Sequence, residues 1–161
     1  SKSKINNYMT EEDFKFMQLA LNLAKKAELE DEVPVGAVIV KNGEVIGQGM
    51  NTSISDHDPT SHAEINAIRE AAKKIKNYRL KDCSIYVTLE PCAMCVGAIQ
   101  HARIEKVIYG ASDPKTGACG GVINLIGIKE INHHAEAVGG ILEKECGQIL
   151  KDFFLSKRKK P

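Results

Sequence analysis

Apolar residues along this chain keep two periods, and their alternation lays out the elements. Phe14, Met17, Leu21, Ala24 and, beside them, Phe16, Ala20, Leu23, Ala27 recur at helical spacing. Together they predict a helix with a wide buried face that ends near Leu29. Thr10-Glu11-Glu12-Asp13 gives that helix a capping hydroxyl and first-turn acids. Runs at 35–40 and 44–49 flank Lys41-Asn42-Gly43, and the Asn-Gly pair predicts an antiparallel hairpin. Residues 51–59 form a polar loop, and a second helix is predicted over 61–74 with Ile65, Ile68, Ala72 and Ile75 on one side. A strand at 84–89, a helix at 92–101 and a strand at 104–109 follow, which predicts a parallel pair with a right-handed crossover. A long loop at 110–121, a short strand at 135–138 and a last helix over 141–157, with Leu142, Cys146, Ile149 and Phe153 inward, complete the pattern. Helices before, between and after the strands predict an α/β fold whose sheet is covered on both faces.

No internal repeat or low-complexity stretch divides the 161 residues, so one domain over 1–161 is expected, with Ser1 to Tyr8 flexible ahead of Met9. Apolar content of 43% and charged content of 27% are ordinary for a soluble globular protein. The longest apolar run, 33–40, is too short to cross a bilayer, and no basic-then-apolar leader is seen. A cytoplasmic protein with no membrane partner is expected. Five cysteines are an odd number, which argues against a disulfide framework and for metal or thiol chemistry. A net charge of +1 means that any nucleic-acid binding has to come from local clustering.

The chemistry concentrates where the apolar run 85–89 stops at Glu90-Pro91 and a small-residue segment begins. Proline suits the first helical position. Cys92 and Cys95 then leave one face of the first turn, and the positive helix end favours thiolates. Two thiolates are half of a tetrahedral zinc site. The third ligand candidate is His62, within Thr60-Ser61-His62-Ala63-Glu64. Three protein ligands without an obvious fourth fit a catalytic zinc, which keeps one place for water and lowers its pKa from about 15.7 to about 7. Cys83, Cys119 and His133-His134 stay available as further donors. Glu64 is the nearest carboxylate for proton transfer. Two positions from His62, it does not share that residue's helix face, which suits a non-ligand acid.

Plainer readings compete at each position. A Cys-x-x-Cys pair opening a helix after a strand is also the thioredoxin-like redox motif, and only the company of His62 and Glu64 turns it toward metal. Lys157-Arg158-Lys159-Lys160 reads equally as a solvated helix end and as a phosphate contact. Phe153 is expected in the core, and Phe154 either there or as a base-stacking platform. Cys83 and Cys146, at apolar positions, read as inert packing residues.

His62-Ala63-Glu64 followed by Pro91-Cys92-Ala93-Met94-Cys95 resembles the zinc-dependent nucleobase deaminase pattern. Val33-Pro34-Val35-Gly36-Ala37, Asp58-Pro59-Thr60, Asn77-Tyr78-Arg79-Leu80 and Tyr86-Val87-Thr88-Leu89-Glu90-Pro91 resemble the bacterial tRNA-specific adenosine deaminases. So do Tyr109-Gly110-Ala111-Ser112-Asp113, Lys115-Thr116-Gly117, Asn132-His133 and Asp152-Phe153-Phe154, whereas Ser53 and His134 depart from the family pattern. The likeness runs from Glu11 to Arg158. It implies a three-layer α/β/α fold with a five-stranded mixed sheet, a homodimer, and hydrolytic conversion of adenosine to inosine at the wobble position of a tRNA anticodon. By position it implies one Zn2+ on His62, Cys92 and Cys95, and proton transfer by Glu64. It also implies base recognition by Asn51 and the Ala63 backbone, and contacts to the anticodon stem-loop from Arg79, Asp113, Lys115, Asn132, Phe154 and Arg158.

Two other functions share these residues. One is a deaminase of free guanine or a small nucleotide, since the metal motif does not separate the sister enzymes. The other is a non-catalytic zinc module that binds RNA and releases no ammonia.

Overall fold

A computed structural model describes residues 9–159. The expected flexibility of Ser1 to Tyr8, and Lys160 of the basic run, lie outside these residues. Helix α1 (Glu11–Leu29) precedes strands β1 (Gly36–Lys41) and β2 (Glu44–Met50), and helix α2 (Ala63–Ile75) leads to β3 (Cys83–Leu89). Helix α3 (Ala93–His101), β4 (Lys106–Ala111), β5 (Glu136–Gly139) and α4 (Glu143–Arg158) follow. The strands form one five-stranded sheet in the order β2-β1-β3-β4-β5. Pairs β1–β2 and β1–β3 are antiparallel, and β3–β4 and β4–β5 are parallel, so the sheet is mixed as expected. Asn42 and Gly43 both take positive φ (50° and 78°), the hairpin geometry that the Asn-Gly pair predicts.

The sheet is a sandwich filling. Ile39, Ile85, Val87 and Val107 point to one face, under α2 and α3. Val38, Val40, Tyr86 and Ile108 point to the other, where α1 and α4 cover them. Period-2 alternation along each strand sends alternate side chains to opposite faces. Thr10 caps α1, accepting from the Asp13 N–H while the Asp13 carboxylate accepts from the Thr10 N–H, as the sequence predicts.

Several boundaries move, each for a local reason. α2 begins at Ala63 rather than 61, and α3 at Ala93 rather than 92, because His62 and Cys92 keep extended backbones as N-caps. Pro91 therefore stands before the cap and not at the first helical position. Strand β4 starts at Lys106, later than 104, because Arg103 turns the chain with φ 63° and Glu105 N–H is taken by the Cys83 carbonyl. The last helix starts at Glu143, after Leu142 at φ 50°. In α1 the buried set is Phe16, Met17, Ala20, Leu21, Ala24 and Ala27, while Phe14 is exposed and Leu23 is only half-buried, so the face is narrower than two full stripes. In α4 Cys146 and Phe153 are buried as expected, together with Leu150, whereas Leu142 and Ile149 are half-buried.

The closest contacts of α2 with the sheet are made by alanines, and Ile68, Ala72 and Ile75 of the expected apolar side pack against the core at its margin. Ala63, Ala67 and Ala71 are fully buried, while Ile65, Ile68 and Ile75 are half-buried. A Cβ on Gly49 would lie 2.5 Å from the Ala63 carbonyl, and one on Gly47 2.6 Å from that of Ala67. Glycine on β2 and alanine on α2 thus let backbone meet backbone, and this sets the depth of the helix that begins at the site.

Candidate active site

Two helix starts converge beyond the C-terminal ends of β3 and β4, the edge where open α/β sheets place their sites. His62 caps α2 and Cys92 caps α3. Their extended backbones (φ −76°, ψ 157° and φ −77°, ψ 175°) throw both side chains outward from the helix ends, while Cys95 points back from the first turn of α3. His62 Nδ1 lies 3.7 Å from Cys92 Sγ and 3.6 Å from Cys95 Sγ. The ligand atoms of the three residues lie within 4.8 Å of one another, so the group could hold a metal ion. Cys83, Cys119 and the His133-His134 pair are not part of it. Cys83 is buried, and the two histidine rings bond the carbonyls of Ile104 and Lys129.

The electrostatics suit ligand chemistry. Hydrogen bonds from Cys95 and His62 pull Cys92 down to about 4, so it is a thiolate at neutral pH. The same contact with Cys92, with burial next, pushes Cys95 upward, and Cys92 raises His62. The helix N-termini at both caps favour the negative charge. Glu64, in the first turn of α2, is 4% exposed, and burial pushes its carboxyl up to about 7 while the His62 charge opposes the shift. It stands outside the ligand group.

A cavity of about 850 Å³ opens over this floor. Val33, Val35 and Leu89 give it an apolar wall; Asn51, His62, Glu64 and Cys92 line it beside them. The turn from Ser112 to Thr116 forms one rim, and Phe154, Lys157 and Arg158 of α4 form the other. Cys95 lies behind the floor, fully buried. Asn51 Oδ1 accepts the Ala63 N–H at 2.8 Å, so the amide NH2 is the remaining donor group of that side chain and the Ala63 N–H is already used.

The other sequence-predicted residues divide. Lys115, Phe154 and Arg158 line the cavity, and Phe154 is 46% exposed. Asp113 also lines it, but its carboxylate accepts from Lys115 N–H, Thr116 N–H and Thr116 Oγ1, so it shapes its own turn. Arg79 and Asn132 are exposed and lie off the cavity; Arg79 Nε donates to the Tyr78 hydroxyl at 3.1 Å. Lys157 pairs with Asp31 at the end of α1 and sits over the Phe153 ring.

Two residues escape the sequence reading. Glu32, 2% exposed, accepts from the backbone N–H groups of Ile54 and Ser55 and so ties down the loop that follows Asn51. Glu90, also 2% exposed, accepts from three backbone N–H groups of the loop after β4. The signal for both is a carboxylate directly at the edge of an apolar stretch, Glu32 before Val33 and Glu90 after Leu89, which must find donors if it is buried.

A family model for MafB19-like deaminases matches residues 11–158. The tRNA-specific adenosine deaminase of Haemophilus influenzae is 51% identical over 150 residues, covering 92% of this chain and 87% of the relative. The chain belongs to the tRNA-specific adenosine deaminase family. A solved structure described as a tRNA:A34 deaminase of A-to-I editing at the wobble position superposes on the chain with a TM-score of 0.82 at 43% identity, covering 84% of this chain and 99% of that one. A guanine deaminase from Bacillus subtilis is 44% identical but superposes with a TM-score of 0.60, covering 65% of this chain and 66% of that one. Both neighbours share the cytidine deaminase-like fold of this family member. Among the described residues no helix is long and apolar enough to cross a membrane.

Proposed function

We propose that the protein is a single-domain, zinc-dependent hydrolase that converts adenosine to inosine at the wobble position of a tRNA anticodon, with release of ammonia. One observation carries the reading: His62, Cys92 and Cys95 gather at the floor of a cavity that Glu64 also lines, in a chain of the tRNA-specific adenosine deaminase family.

The donor set fits zinc, because one imidazole nitrogen and two thiolate sulfurs are its preferred ligands and three protein ligands leave a place open. One ion per chain is expected. Held there, zinc supplies a Lewis acid that lets water ionise near neutral pH. Glu64, whose carboxyl burial pushes up to about 7, takes a proton from the attacking water and gives it to the purine N1, then moves the proton of the newly added hydroxyl to the departing amino group, which leaves as ammonia. Asn51, held by the Ala63 N–H, turns its amide NH2 to the base, so the part of Ala63 in recognition runs through Asn51. The apolar wall of Val33, Val35 and Leu89 receives the ring, which has to leave its stack before C6 can be reached. Lys115 and Arg158 contact phosphates and Phe154 stacks a neighbouring base. Arg79, Asn132 and the turn built by Asp113 meet RNA beyond the pocketed base. Half-buried Ile65 of α2, with Met94 at 36% exposure, supports a homodimer. A tRNA substrate places the enzyme in the cytoplasm.

The test is incubation with an anticodon stem-loop bearing a wobble adenosine, with inosine and ammonia as readouts, beside free adenosine, adenine and guanine. Faster turnover of guanine assigns the protein to the sister activity. Zinc and RNA binding without ammonia makes it a binding module.

A further inference from the structure

The loop between β4 and β5 carries one rim of the cavity and little regular structure: isolated bridges Cys92–Gly117 and Cys119–Asn124 stand in place of strands. Its order has another source. The buried Glu90 carboxylate accepts the Asp113 N–H on Oε1 at 2.9 Å, and the Cys119 and Gly121 N–H groups on Oε2, each at 2.8 Å. Three separate points of one loop therefore close on one carboxylate. Hydrogen bonds to an ionised acceptor are the strong kind, and a buried carboxylate needs them all. The backbone of the same segment completes the joint: Glu90 N–H donates to the Ala111 carbonyl, and Ala118 N–H donates to that of Pro91. The loop side is cut to fit. A Cβ on Gly117 would fall 2.4 Å from the Glu90 carboxyl carbon, and one on Gly121 2.6 Å from Oε1. Neither glycine has positive φ, so their need is for space alone.

We propose that Glu90 is a positioning residue for substrate: it locks the rim turn of Ser112 to Thr116 to the strand end that leads into Cys92, so that the rim and the metal floor move as one body. Resting on the functional reading above, this assigns Glu90 to capture of the RNA flanking the target base and not to proton transfer. Asp113 makes the turn within itself, and Glu90 fixes where that turn sits.

The test is Glu90→Gln in the full-length, zinc-loaded protein. A carboxamide keeps the shape but turns an NH2 toward one set of the loop N–H groups, breaking at least one hydrogen bond. Amide exchange at Asp113, Cys119 and Gly121 is expected to quicken by at least about tenfold while that of β3 is unchanged. The KM for the stem-loop rises by about tenfold, kcat falls by less than about threefold, and zinc stays at one per chain. Gly117→Ala and Gly121→Ala approach the joint from the loop side and reproduce the same split if Glu90→Gln fails to fold. Unchanged exchange at the three amides overturns the proposal, and so does a fall in kcat at constant KM or a loss of zinc. If the wild-type protein fails to deaminate the stem-loop, the functional reading fails, and the exchange arm still decides whether Glu90 locks the loop.

Discussion

Asn51 Oδ1 holds the backbone N–H of Ala63 at 2.8 Å, and through it the loop after β2 is fastened to the first turn of the helix that bears Glu64. The acceptor is structural, and on the proposed reading the amide NH2 meets the base, so the two roles separate by substitution. Asn51→Asp keeps the acceptor and is expected to hold stability within about 1 kcal/mol while deamination falls by orders of magnitude. Asn51→Leu removes the acceptor and costs about 1–3 kcal/mol as well, the penalty for a buried N–H left unpaired. Thermal unfolding of the two variants, beside an inosine assay, checks the division.

Glu64→Gln is expected to keep both fold and zinc and to lose turnover by about 10²–10⁴-fold, the usual contribution of a positioned proton-transfer group. Metal analysis of the purified variant decides between roles, because loss of zinc would make Glu64 a ligand.

Removal of the metal is expected to abolish activity reversibly. A chelator-treated preparation should be inactive and recover with zinc, and Cys95→Ala should neither bind zinc nor recover. Zinc is also expected to raise the unfolding temperature, since only the folded chain brings residues 62, 92 and 95 together. Full activity of a metal-free sample would remove the metal from the mechanism.

Much of this site is readable from the sequence alone, and the reason is local. Cys92 and Cys95 lie three positions apart and His62-Ala63-Glu64 is contiguous, so each half shows as a short motif, and the resemblance to the deaminase pattern joins the two halves across thirty positions. The element order is readable too, because strands and helices here keep clean periods. What spacing does not carry is anything set by long-range contact. Glu90 and Glu32 are anchors only because loops fold back onto them from 23 and 22 residues away. The isoleucine side of α2 does pack at the edge of the core, but the close alanine contact beside it is not read from the stripe, because a near backbone approach selects small residues. The helix starts at His62 and Cys92 fall one or two residues early in sequence for a related reason: a ligand at an N-cap looks like part of the helix.

The basic end of α4 divides its labour. Both Lys157 and Arg158 line the cavity, and Lys157 is also engaged by Asp31. Truncation after Leu155 is expected to leave zinc binding intact, raise KM for the stem-loop, and reduce the salt slope by about 0.7–0.9 for each phosphate that the shortened helix no longer reaches. Asp31→Ala frees Lys157 and serves as the control, with stability lowered by no more than about 1 kcal/mol. An unchanged salt slope in the truncated protein would reduce the basic run to a solvated helix end.

On the far face of the sheet, Tyr86 Oη donates to Asp13 Oδ1 at 2.6 Å, and burial together with that bond holds the phenol well above its ordinary 10.0. The unfolded chain gives up this proton first, so it binds fewer protons than the folded one above about pH 10. The stabilisation is complete below that pH and is lost as pH rises past it. Tyr86→Phe is expected to cost about 1 kcal/mol at neutral pH and to show a shallower decline than the wild type between about pH 9 and 11. Parallel curves for the two proteins would sever the link.

The hard contact between Gly49 and α2 bears on any attempt to retune the pocket. A wall built of side chains can yield by changing rotamer, but a helix resting backbone to backbone on a strand cannot. Gly49→Ala adds a single methyl, none of it inside the cavity, yet its Cβ meets the Ala63 carbonyl and must lift the start of α2. Engineering for a bulkier base therefore has a fixed side and a pliable side. The floor that carries residues 62 to 64 is the reference surface, and room has to be won in the side-chain wall of Val33, Val35 and Leu89.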